Sequence, residues 1–220
     1  MPRAGQLQPA ALTGPGAITG AVAGVLLVLA VLAGARVVGA LGVLVVLLRT
    51  GVEVTAGALV TGAGRAGALV VGALATLVLR SIEQIGPDAY TPEQVAAWAA
   101  RHEDARRFVQ RAHSGQTILI AADDADRPIA YAILESDGHL DHLYCDPAHT
   151  RQGLAAALLG EAEAAARAAG VELLYTEASE LARASFERAG YRLTHRRDFE
   201  ILHEGKAIPI HNYAMEKRLA

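Results

Sequence analysis

The chain has 220 residues, 52% of them hydrophobic, and 20 lysines and arginines against 23 acidic residues leave a net charge of −3. The length suits one domain with an extension, and the absence of a basic block argues against nucleic acid as a partner. A single cysteine, Cys145, excludes an internal disulfide and a cysteine-rich zinc site, and it fits a reducing compartment.

The charge is unevenly spread. Before Ser81 the only acidic residue is Glu53, set against Arg3, Arg36, Arg49, Arg65 and Arg80, so the first 80 residues carry +4 and the remainder −7. All eight histidines lie beyond residue 100. Residues 17–48 are apolar except for Thr19 and Arg36, longer than the ~20 residues a membrane helix needs. Residues 1–50 therefore read as an apolar low-complexity segment that can act as a membrane anchor, either one tilted span or two short ones meeting near 34–36. A signal peptide fits less well, because its apolar core is only about 7–15 residues long. Arginines concentrated after the run place the following domain on the cytoplasmic face of the membrane. The same Ala/Gly/Val/Leu/Arg vocabulary is also what a misassigned start or a wrong reading frame would produce, and then the protein is simply cytoplasmic. A second run, 57–79, is interrupted by Arg65 and reads equally as a span or as a buried helix.

From residue 51 the pattern becomes that of an α/β domain, 51–220. Residues 51–55 alternate like a short strand. Residues 66–85 suit a helix that stops at Gly86 and Pro87. Thr91, Pro92 and Gln94 form a cap, first-turn proline and capping-box set that starts another helix, and 103–113 suits one more. Strands are expected at 116–122, 128–136 and 139–145, with turns at 123–126 and 137–138. An alanine-rich helix follows over 153–169 and stops at Gly170. Then come a strand over 171–178, a helix over 180–190, and a hairpin of 191–202 with 206–219 across Glu204 and Gly205.

The mouth of the alanine-rich helix is the most informative stretch. A strand ends at "LYCDP", a lone glycine appears in "AHTRQGLAA" (His149, Thr150, Arg151, Gln152, Gly153, Leu154, Ala155, Ala156), and the helix begins at once. A helix start offers unpaired N–H groups and a partial positive charge, which suit an anion. The element order, this loop and the later "ARASFERAGYRL" together resemble the GCN5-related N-acetyltransferase (GNAT) family, over roughly 51–220 and most strongly from Gly138 onward. In that family the loop reads Gln/Arg-x-x-Gly-x-Gly/Ala. Gly153 and Ala155 match, whereas Thr150 departs from the usual residue. The tail "IPIHNYAMEKRL" is similar to the closing strand of a bacterial subgroup.

The resemblance implies a GNAT-type acyl-CoA N-acyltransferase fold, a central mixed sheet flanked by helices, preceded here by the apolar segment. It implies acetyl-CoA as co-substrate and an amine-bearing small molecule or protein as acceptor, and it is compatible with a homodimer. The pyrophosphate would lie on the backbone of Thr150, Arg151, Gln152, Gly153, Leu154, Ala155 and Ala156. The pantetheine arm would pair with the exposed backbone of Leu143, Tyr144 and Cys145, where the fourth strand splays from the fifth. Direct attack by an amine needs a base and a proton for the departing thiolate. Asp141 is the first candidate base, with Glu135 and His142 as rivals. Strand alternation puts Asp141 and His142 on opposite faces unless a bulge intervenes. The family's usual proton donor, a tyrosine, falls on Phe186, so Tyr144, Tyr131 or water replaces it, or the thiolate is protonated in solvent after release. Cys145 reads as a packed residue rather than a nucleophile. His139, His142 and His149 match no metal motif. Two further readings stay open: a degenerate fold that binds acyl-CoA as a sensor, and a membrane protein defined by its apolar segment.

Overall fold

The computed structural model describes residues 45–49, 65–123, 125 and 127–219. The elements run β1 (Val45–Arg49), α1 (Arg65–Ile85), α2 (Pro92–Ala100), α3 (Arg106–His113), β2 (Thr117–Ala122), β3 (Pro128–Leu134), β4 (Leu140–Cys145), α4 (Leu154–Ala168), β5 (Leu173–Ala178), α5 (Glu180–Arg188), β6 (Arg192–His203) and β7 (Lys206–Arg218). Short 3₁₀ turns, Gly86–Asp88 and Pro147–His149, precede α2 and α4. Thr91 and Gln94 form the expected capping box. The β6–β7 hairpin turns at Glu204 and Gly205, both at positive φ (50° and 77°), which matches the twist of the strands it joins.

Two sheets result, one ordered β1-β2-β3-β4 and one ordered β5-β7-β6. Alternation along the strands sorts the core into two clusters. Leu119, Ala121, Ala130 and Ala132 face one way and pack with Leu154, Leu158 and Leu159 of α4 and Phe186 of α5. Ile118, Ile120, Tyr131 and Ile133 face the other way, toward α1, α2 and α3. In α1, Leu74, Leu77, Val78 and Ile82 form one stripe at helical spacing and are almost wholly buried. Each such side chain contributes about 1.5–3 kcal/mol when it leaves water.

Within the apolar segment, Val45–Arg49 runs parallel to β2, with Val45 opposite Ile118, so the end of the 17–48 run is a sheet strand. The strand expected at 51–55 lies outside the described residues, as does most of that apolar run. The second run, 57–79, had two readings, and its described part packs as α1 on the sheet. Arg80 of α1 also pairs with Asp146, 2.8 Å away at the end of β4. Among the described residues no helix is long and apolar enough to cross a membrane, and the membrane reading finds no support there.

The two sheets meet at β4 and β5 and then part. His139 and Tyr175 form an isolated parallel bridge. There Tyr175 N–H donates to the Gly138 carbonyl (3.1 Å) and the Thr176 hydroxyl to the Leu140 carbonyl (2.7 Å). Beyond this apex β4 pairs only with β3, and β5 only with β7.

Candidate active site

The phase of the β3–β4 ladder decides what the gap between the sheets displays. Asp146 N–H donates to the Ile129 carbonyl at 2.8 Å. Residue pairs alternate between bonded and non-bonded along an antiparallel ladder, so Tyr144 is bonded to Tyr131, and Leu143, opposite Ala132, and Cys145, opposite Ala130, are not. The N–H and C=O groups of Leu143 and Cys145 therefore point away from β3, into the gap. Of the three strand residues expected to meet a pantetheine arm, Leu143 and Cys145 offer free main-chain edges, whereas Tyr144 spends its backbone in the ladder.

At the wide end of the gap stands the mouth of α4. Asp146 caps the 3₁₀ turn through Ala148 N–H (2.9 Å), and the chain reaches Arg151 at φ 60° and Gly153 at φ 82°. Gly153 is the N-cap of α4, makes no side-chain cap, and no acidic residue stands in the first turn. A Cβ at Gly153 would meet nothing within 4 Å, so the helix mouth faces open space. Thr150, Arg151, Gln152, Gly153, Leu154, Ala155 and Ala156 are brought together here as expected. Cys145 Sγ lies 3.4 Å from the His149 carbonyl, and burial pushes its thiol up to about 11. That fits a packed residue rather than a nucleophile.

Nearer the apex a bulge changes the strand phase. Ile133 is opposite His142, yet Leu134 is opposite Leu140, so Asp141 is an extra residue on β4. The bulge places Asp141 and His142 on the same side, where His142 Nε2 stands 3.6 Å from Asp141 Oδ2. Arg111 of α3 pairs with the same Oδ2. Burial works against the charge of Asp141, but its neighbours, the Arg111 guanidinium among them, outweigh it and hold the carboxyl below its usual range. Glu135 accepts from Gln116 (2.8 Å) and lies 3.9 Å from Arg111. An open cleft of about 250 Å³ beside it is lined by Arg107, Gln110, Arg111, Ser114, Gln116 and Glu135.

Sequence reasoning did not single out Arg111, Glu177 or Arg197 at this site. Arg111 falls one helical turn after buried Phe108, so a charge on the inward face of α3 was the available signal. His139 lies between Glu177 of β5 (Nε2 to Oε2, 2.7 Å) and Glu135 (Nδ1 to Oε2, 3.4 Å) and stacks on Tyr175 at 4.8 Å. Glu177 is also held by Arg197 of β6 at 3.0 Å. No local pattern points to pairs so far apart in the chain. Phe186 is buried against Tyr191, with ring centres 5.0 Å apart. The Tyr144 hydroxyl lies 3.5 Å from His102 Nε2, and burial raises its pKa.

Known proteins of one family resemble this chain in sequence and fold. Residues 87–216 match the family model described as an acetyltransferase (GNAT) domain. The uncharacterized N-acetyltransferase YafP of Escherichia coli (strain K12) is 29% identical over 121 residues, covering 53% of this chain and 71% of that protein. Among solved structures, a GCN5-related N-acetyltransferase from Rhodopseudomonas palustris, also described as an aminotransferase of class II, superposes with a TM-score of 0.60. It is 32% identical, covering 68% of this chain and 89% of that one. The PaiA N-acetyltransferase from Thermoplasma acidophilum, solved with coenzyme A, shares the fold at 18% identity and a TM-score of 0.53, over 68% of this chain and 92% of its own.

Proposed function

Since the chain belongs to the GNAT acetyltransferases, we propose that it transfers the acetyl group of acetyl-CoA to an amine by direct attack, with Asp141 as the base. The observation that carries this reading is the continuity of the gap. An unpaired β4 edge at Leu143 and Cys145 leads from the glycine-capped mouth of α4 to a carboxylate on a bulge near the apex. The N–H groups at the α4 mouth would hold the pyrophosphate, and the main chain of Leu143 and Cys145 the pantetheine arm. The amine nitrogen then forms a bond to the thioester carbon, the C–S bond breaks, and the amine proton passes to Asp141. Phe186 has no proton to give, so Tyr144 or solvent protonates the departing thiolate.

Phe186 in place of a phenol also favours a second reading, a catalytically silent acyl-CoA sensor. Acetyl-CoA turnover with a panel of amines separates the two, because a sensor binds without turning over. Within the enzyme reading, Asp141→Asn should lower turnover by roughly 10²–10⁴-fold, the usual range for loss of a general base. Calorimetric acetyl-CoA affinity should stay near that of the parent. Parental turnover with an unchanged pH profile would move the base to Glu135 or solvent.

A further inference from the structure

Behind Asp141 lies a buried pair that the proposed reaction does not use. His142 is 7% exposed and Tyr131 0%, and the Tyr131 hydroxyl stands 2.9 Å from His142 Nδ1. We infer that His142 is a positioning residue for Asp141, held by the Tyr131 hydroxyl in the tautomer that turns Nε2–H toward the Asp141 carboxylate. This inference rests on the reading of Asp141 as the base.

The geometry makes the assignment. Tyr131 keeps its proton, since burial raises its pKa far above the usual value. Among the described residues its hydroxyl has one hydrogen-bond partner, Nδ1 of His142. A buried hydroxyl that donates to nothing is destabilising, so the phenol donates and Nδ1 accepts. A neutral imidazole with Nδ1 as acceptor carries its proton on Nε2. The opposite tautomer would strand the phenol proton and also turn a lone pair toward Asp141 Oδ2 at 3.6 Å. Both costs favour the same state.

The surroundings keep that imidazole neutral. Burial is the main cause, and Arg111 and Arg107 of α3 and His102 before it add to it, while Asp141 alone opposes. Phe108 of α3 and Tyr144 of β4 close the remaining sides with edge-on ring contacts at 6.3 and 5.4 Å. At 3.6 Å the Nε2–H group is beyond hydrogen-bond range of Oδ2, so it orients the carboxylate through its dipole rather than clamping it. Arg111 and His142 both address Oδ2. That leaves Oδ1 as the oxygen that meets the amine.

The test compares Tyr131→Phe, His142→Gln and His142→Phe with Asp141→Asn in the full chain, using acetyl-CoA and the best amine of the panel. Tyr131→Phe should lower kcat about tenfold, with KM for acetyl-CoA unchanged. Its acid limb should move to higher pH, because Asp141 loses an N–H dipole fixed toward it that favours its ionised form. Nitrogen NMR of the His142 ring should show Nε2 protonated in the parent and a mixture of tautomers in Tyr131→Phe. His142→Gln, which keeps an N–H near the Nε2 position, should retain more activity than His142→Phe. A parent protein with Nδ1 protonated, or a Tyr131→Phe protein with parental kcat and acid limb, overturns the inference. Parental turnover in Asp141→Asn sinks the base itself. That result differs from a normal loss in Asp141→Asn beside an indifferent Tyr131→Phe, which sinks only the positioning role.

Discussion

Gly153 combines two demands that only glycine meets without cost. Its backbone is left-handed at φ 82°, and the space beyond its Cα is open toward the proposed pyrophosphate. Asp and Asn tolerate the left-handed region better than other residues do, so both Gly153→Asp and Gly153→Asn should fold. They differ by one negative charge at a helix mouth that favours anions. Gly153→Asp should abolish measurable acetyl-CoA binding in calorimetry, and Gly153→Asn should weaken it less. Equal affinities in the parent and Gly153→Asp would remove the pyrophosphate from this loop. The glycine itself was legible in the sequence, because its neighbours announce a strand, a turn and a helix in immediate succession. Arg111 was not, because its meaning depends on Asp141, thirty positions further along the chain, and on the fold that makes them meet.

At the level of elements, the gap between the sheets depends on how tightly β4 and β5 approach at its apex. Gly138 makes that approach possible. A Cβ there would sit 2.3 Å from the Leu173 carbonyl oxygen, and the residue has φ 95°. Gly138→Ala would incur about 1–2 kcal/mol from the left-handed backbone alone, and the clash with main chain adds to it. The urea midpoint should fall accordingly, and an unchanged midpoint would mean that the two strands do not meet at this glycine. The strands themselves were readable from alternation and turn residues, with boundaries shifted by a residue or two. The bulge at Asp141 was not, because an extra residue shows only when the partner strand is laid beside it. The sequence expectation that Asp141 and His142 share a face only if a bulge intervenes is met, and the bulge is what brings both to the candidate base site.

Over the whole molecule, the two sheets are also tied by charge. His139 at the start of β4 reaches Glu177 of β5, which Arg197 of β6 also holds. Burial opposes the charge of His139, but Glu177, Asp141 and Glu135 outweigh it and raise its pKa. A histidine whose folded pKa lies above its unfolded value near 6.5 contributes stability that is complete below that value. The contribution is lost as pH rises through the raised pKa. Buried His102 acts in the opposite sense, since burial pushes it down to about 4 and its contribution fades as pH falls below the unfolded value. The comparison that isolates His139 is therefore parent against His139→Gln. The Tm difference between them should be largest at mildly acidic pH and shrink as pH rises above about 6.5. A difference independent of pH would show that protonated His139 does not join the sheets.

Taken by itself, the sequence determined the order of strands and helices from residue 65 onward, the family resemblance, and the anion-ready mouth of α4. All of these are written in short-range pattern, in the period of hydrophobic residues and in the caps and turns beside them. The tertiary structure alone decided that Val45–Arg49 joins the sheet and that α1 packs on it. Apolar runs of this kind look alike whether they meet lipid or a protein core. It also decided which main-chain groups of β4 stay unpaired, and that Asp141 meets Arg111 and His142 while His139 meets Glu177. Those facts depend on strand register and on contacts between distant segments, and neither has any local signature in the chain.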